Sequence, residues 1–82
     1  MASYVATTAK QLGAVLRGFR RERGLTQQQL AARLGLAQKA ISAAETHSDR
    51  VGVERLFQLL SVLDVELVLR NKTTAKPPRT EW

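Results

Sequence analysis

Apolar positions along the chain repeat with two different periods, and the change of period divides it. Leu12, Val15, Leu16 and Phe19 recur at the spacing that places side chains on one face of an α-helix. Thr8 precedes this run with Gln11 one turn later, the pattern of a capping box, and Gly24 follows it; together they predict a first helix from Ala9 to Arg23. Thr26 and Gln29 repeat the cap signature and Gly35 supplies a stop, which predicts a second helix from Gln27 to Leu34. Leu36 and Ala37 lead into a third amphipathic stretch, Gln38 to Glu45, with Ala40, Ile41 and Ala44 on its apolar side. Thr46 to Arg50 is polar and aperiodic and reads as a loop. Val53, Leu56, Phe57, Leu59, Leu60 and Leu63 then form the stripe of a fourth helix.

From Val65 the period shortens. Val65, Leu67 and Leu69 alternate with Glu66, Val68 and Arg70, which predicts a short strand over 65–70. The competing reading extends the fourth helix, because Leu60, Leu63 and Leu67 also share a helical face. A lone strand cannot satisfy its ladder bonds inside a helical chain, so it is expected to pair with its own copy. Val65, Leu67, Val68 and Leu69 are the expected homodimer interface. After Asn71, KTTAKPPRTEW carries two prolines and no apolar periodicity. The expected organisation is therefore a folded unit over 1–71 and a flexible tail over 72–82.

An 82-residue chain has room for one small domain. Hydrophobic residues make up 44% and aromatics only 5%, a composition that suits helices packed through Leu, Val, Ile and Ala. The expected fold class is all-α, a bundle of four to five helices with the short strand appended. The formal net charge of +6 favours a polyanionic partner, and charge alone leaves nucleic acid and anionic membrane both open. The N-terminus has neither a basic n-region nor an apolar h-region, and no stretch approaches the ~18 apolar residues of a membrane span. No membrane association and a cytoplasmic location are expected. With no cysteine, disulfides, thiolate zinc sites and thiol catalysis are excluded. His47 is the only imidazole, and with Asp49 and Arg50 beside it there is no nucleophile or second base at usable spacing. No enzyme activity, metal or cofactor is expected; His47 reads as a solvated loop residue, with a phosphate contact as the alternative.

Two short helices joined by Gly35-Leu36-Ala37 have the geometry by which a second helix enters the DNA major groove. Gln38, Lys39, Ser42 and Ala43 lie opposite Ile41 and Ala44 and are the candidate reading residues. Gln pairs bidentately with adenine, Lys donates to guanine, and the Ala43 methyl suits a thymine methyl. On an isolated helix the same face would be merely solvated. Gln27 opens the second helix, where free N–H groups favour a phosphate; its side chain could also brace Gln38, or serve only as a helix-start residue. Arg17, Arg20, Arg21 and Arg23 gather towards the C-terminal end of the first helix, where cations complement the dipole.

The segment GLTQQQLAARLGLAQKAISAAE resembles the helix-turn-helix of the lambda-repressor, Cro and Xre superfamily. Gly24, Thr26-Gln27, Leu30-Ala31, Leu34-Gly35, Gln38, Ile41-Ser42 and Glu45 carry the resemblance, which spans about residues 9–64. It implies a lambda-repressor-like fold, binding to double-stranded DNA at a palindromic operator, and a structural ion pair between Arg20 and Glu45. The chain departs at Ala37, where the family often has a Ser or Thr cap worth ~1 kcal/mol. A fourth helix followed by VELVLR, a polar tail and a terminal Glu-Trp is similar to HipB-type antitoxins. That likeness implies strands paired across a two-fold, repression of the chain's own operon, nucleoid association when bound to the operator, and a HipA-like kinase toxin as partner, with Trp82 as a toxin contact. Ala43 and Ala44 depart from larger residues in that family. A stand-alone Xre/Cro-type repressor and a helical interaction module without DNA binding are the alternative readings.

Overall fold

A computed structural model describes residues 3–72 of the chain; most of the expected tail, with Trp82, lies outside them. Helix α1 (Ala9–Glu22) starts at Thr8, whose hydroxyl accepts the Gln11 N–H at 3.1 Å. Gln11 does not close the box on Thr8: its carbonyl accepts the Thr7 N–H at 2.7 Å, one residue further back. Arg23 is the C-cap and Gly24 turns the chain with φ +69°. Helix α2 (Gln27–Leu34) has the complete box, Thr26 Oγ1 accepting the Gln29 N–H and Gln29 Oε1 accepting the Thr26 N–H. Gly35 closes it in the left-handed region.

Helix α3 (Gln38–Thr46) includes Thr46, whose hydroxyl donates to the Ser42 carbonyl at 2.8 Å. Its N-cap, Ala37, has the extended backbone of a capping residue (φ −77°, ψ 152°) but no side chain to accept a bond. Ala37→Ser is therefore expected to raise stability by about 1 kcal/mol, read as a higher urea midpoint at unchanged slope. A 3₁₀ turn, Ser48–Arg50, occupies the expected loop, and the Ser48 hydroxyl donates to the Ala44 carbonyl. Helix α4 (Val53–Leu63) ends at Asp64 in the left-handed region. Asp64 and Val65 N–H groups reach the Ser61 and Leu60 carbonyls, a Schellman closure, so 65–70 does not extend the helix.

α3 packs against both α1 and α2, and α2 packs against α4. The core comes from all four: Leu16 and Phe19 of α1, Leu30 and Ala31 of α2, Ile41 and Ala44 of α3, and Leu59, Leu60 and Leu63 of α4, with Leu25 from the first turn. Leu12, Val15 and Leu56 are only partly buried around it. Two apolar positions of α4, Val53 and Phe57, stay exposed. In the single chain residues 65–70 form neither helix nor ladder, and Leu67, Val68 and Leu69 are 46%, 66% and 88% exposed. The apolar stripe of α4 is thus wider than one copy can cover.

One contact has no signal in the periodicity. Tyr4 lays its ring edge-on to Phe19, with centroids 5.1 Å apart, and its hydroxyl donates to Glu22 Oε2 at 2.6 Å. The Arg23 guanidinium lies 5.4 Å from the centroid of the same Phe19 ring. The hydrogen bond to Glu22, with lesser help from burial and the carboxylate charge, holds the phenol pKa above its ordinary value.

Candidate nucleic-acid interface

The turn through Gly35 sets the first turn of α3 beside the first turn of α2, and one chain of polar contacts runs through both. It starts at Glu45, buried near the end of α3. Arg20 Nε donates to Glu45 Oε2 at 2.7 Å and Arg20 Nη2 to Oε1 at 3.3 Å, a forked ion pair between side chains that are 9% and 2% exposed. The remaining Arg20 donor, Nη1, reaches the Leu25 carbonyl at 2.8 Å. Arg17, one turn earlier on α1 and 40% exposed, donates to Oε1 at 3.3 Å. Gln27 Nε2 donates to the same Oε1 at 3.1 Å, and Gln27 Oε1 accepts from Gln38 Nε2 at 3.1 Å.

Burial alone would push the Glu45 carboxyl up, but bonds from Arg20, Gln27 and Arg17 and the charge of Arg20 outweigh it. They hold its pKa below the ordinary carboxylate value. Among the described residues no fully buried side-chain nitrogen or oxygen lacks a hydrogen-bond partner. Helix α3 is thereby tied to α1 at one end and to α2 at the other.

The four candidate reading residues divide by exposure. Gln38 and Lys39, in the first turn, are exposed; Ser42 and Ala43, a turn later, are half-buried. Gln27 is half-buried and sits in the network just described. Beside it lies an open groove of about 530 Å³ at the start of α2, lined by Arg20, Arg21, Gly24, Leu25, Thr26, Gln27, Gln28 and Gln38. Arg21 and Gln28 were not among the sequence-derived candidates. Arg21 belongs to the basic cluster of α1, and Gln28 follows Gln27 in the first turn of α2, so their positions were readable but not their convergence. His47 is exposed at the C-cap of α3. Among the described residues no group of three His, Cys, Asp or Glu side chains is placed to hold a metal ion. No helix there is long and apolar enough to cross a membrane.

The family described as Helix-turn-helix matches residues 16–69, an interval that contains the whole α2–turn–α3 unit. The antitoxin HipB of Escherichia coli strain K12 is 31% identical over 71 residues, covering 87% of this chain and 81% of that protein. The chain belongs to the HipB family of helix-turn-helix proteins. Solved structures agree with this placement. The HipB chain of a complex with a 20-mer, O4, superposes with a TM-score of 0.79 at 25% identity, covering 87% of this chain and all of that one. A HipB chain in a HipA–HipB–O2–O3 complex gives the same TM-score, identity and coverage.

Proposed function

We propose that this chain is a sequence-specific DNA-binding repressor that acts as a homodimer on a palindromic operator in its own promoter, and an antitoxin that holds a HipA-like kinase toxin. The observation that carries the reading is α3 itself. Its apolar face is buried, both its ends are tied down, and its opposite face carries Gln38, Lys39, Ser42 and Ala43, with Gln38 on the rim of a groove lined by Arg21 and the start of α2. Rigid polar display beside a cationic groove is what base reading requires: base edges specify, and phosphates position. In this reading Gln38 and Lys39 contact base edges, Ser42 and Ala43 complete the face, and Gln27 meets the backbone near the α2 N-terminus. The +6 net charge supplies long-range attraction. No catalytic step enters, and the site of action is the bacterial cytoplasm, on the nucleoid when bound to the operator.

Dimerisation is assigned to residues 65–70, where Val65, Leu67, Val68 and Leu69 pair with the partner's copy over Val53 and Phe57 of α4. The exposure of Leu67, Val68 and Leu69, and of Val53 and Phe57, in the single chain supports it, while Val65 is partly buried against the core of its own copy. The HipA–HipB–O2–O3 and HipB–O4 complexes of relatives, whose 20-mer O4 we read as an operator duplex, support the DNA and kinase partners. Trp82, outside the described residues, is the proposed toxin anchor.

Titrating the full chain against its own promoter duplex tests this. If each dimer neutralises about six phosphates, log K should fall with log salt at a slope near −5. Gln38→Ala and Lys39→Ala should weaken operator binding more than binding to a random duplex; equal losses on both would confine these residues to the backbone. A chain that prefers no operator over random DNA, or sediments as a monomer at micromolar concentration, contradicts the reading. Failure to co-purify with a kinase encoded beside it would remove the antitoxin role alone.

A further inference from the structure

We propose that Tyr4 is a positioning residue that holds the Glu22 carboxylate away from the groove at the start of α2, leaving Arg21 open to a DNA phosphate. The inference rests on that groove meeting DNA and adds what keeps its charge available. Glu22 is the one acidic residue of α1 and also its last, where a carboxylate opposes the helix dipole. It stands between Arg21 and Arg23, yet the ion pairs among the described residues are those of Arg17 and Arg20 with Glu45. Glu22 Oε2 accepts the Tyr4 hydroxyl instead, at 2.6 Å. A carboxylate flanked by two guanidiniums and bound to neither is being held by something else, and here the holder is a phenol from the N-terminal segment.

Phe19 decides where that bond lies. The Tyr4 ring stands edge-on to the Phe19 ring, with centroids 5.1 Å apart and planes 77° apart, so its hydroxyl meets Glu22 on the flank of α1 that carries Phe19. At about 100° per residue, Phe19 and Arg21 leave the helix on nearly opposite sides. Arg21 lines the groove, together with Arg20, Gln27 and Gln28. The Thr7 N–H donates to Gln11 Oε1 at 2.7 Å and ties down the segment that carries Tyr4. The phenol, its pKa held above the ordinary value, remains a donor at neutral pH. Once released from Tyr4, Glu22 has Arg21 beside it as its exposed neighbour, since Arg23 is half-buried with its guanidinium 5.4 Å from the Phe19 ring centroid. Pairing with Arg21 would cancel a charge that a phosphate requires, whatever base sequence the phosphate belongs to.

The test titrates the full chain against its promoter duplex and against a random duplex over a series of salt concentrations. Tyr4→Phe keeps the ring on Phe19 and removes only the hydroxyl. It should weaken binding to both duplexes alike, by about three- to tenfold in low salt, and should make the fall of log K with log salt shallower by up to about 2, one phosphate for each Arg21 of a dimer. Glu22→Gln should abolish the effect, so that adding Tyr4→Phe to it leaves affinity unchanged, and Arg21→Gln should abolish it equally. A loss in Tyr4→Phe that persists in the Glu22→Gln background, or that does not fade as salt rises, would make Tyr4 a structural brace and overturn the proposal. Tyr4→Phe binding like wild type at every salt concentration would overturn it as well. Each of these results leaves the preference for the promoter duplex over the random one intact, whereas a wild type that binds neither duplex would overturn the DNA reading and the role of Tyr4 with it.

Discussion

Arg20→Ala is expected to lower the unfolding free energy by about 3 kcal/mol, because it strands a buried carboxylate. Glu45 has a side chain only 2% exposed and loses its shortest bond in this variant, the 2.7 Å contact with Arg20 Nε, while the Leu25 carbonyl loses its Nη1 donor. Arg17 and Gln27 remain on Oε1 and keep the loss near the lower end of the range for broken buried pairs. A denaturant midpoint equal to wild type would show that the pair bears no load. The pH dependence has a definite sign. The folded-state pKa of Glu45 is lowered, so its contribution is fully present above the ordinary carboxylate range and is lost as pH falls through the lower folded value. Wild type should therefore exceed Glu45→Gln in stability at neutral pH, and the gap should narrow below about pH 4.

Gly13→Ala and Gly18→Ala, the same change on the same helix, are expected to move stability in opposite directions. Gly13 is buried where α1 meets the end of α3. A methyl there would fall well inside contact with the Glu45 carbonyl oxygen, 2.9 Å from the Glu45 carbonyl carbon and 2.8 Å from Ser48 Oγ. Backbone atoms cannot rotate aside, so α3 must move off α1 and carry Glu45 away from Arg20. Overpacking of this kind costs about 1–3 kcal/mol, and the helix propensity gained over glycine offsets about 0.5–1 kcal/mol. Gly18 has nothing within 4 Å of the added methyl, so Gly18→Ala should stabilise by about 0.4–1 kcal/mol through the unfolded chain alone. Paired urea titrations decide it: midpoints shifted the same way would show that α1 and α3 have room to separate. Gly13→Ala should also weaken operator binding under conditions where it stays folded, since the displaced element is the one proposed to read DNA.

Features readable from the sequence act over one helical turn. The bounds of α2 follow from Thr26, Gln29 and Gly35, each of which bonds or bends within four residues of its position. Ends lacking so complete a signal shifted by a residue: α1 stops at Glu22, and α3 takes in Thr46. The exposed first turn of α3 was legible because Ile41 and Ala44 define its buried face. Arg20 and Glu45 were linked only through the family resemblance, since no local rule relates residues 25 positions apart. Arg17, one turn before Arg20, shared the face that would have extended the pairing to it.

By itself the sequence determined where the four helices lie, which face of each is apolar, and that the chain carries excess positive charge, all consequences of neighbouring residues and composition. Only the tertiary structure decided which polar groups meet. Three side chains converge on one carboxylate, Tyr4 folds back on Phe19, and Gly13 sits against the backbone of α3, because these contacts depend on how distant elements pack together. Periodicity likewise marked Val53 and Phe57 as apolar but could not say how much apolar surface the rest of one copy would cover. That quantity depends on the area the other elements bring to the face, and in the single chain they leave both exposed.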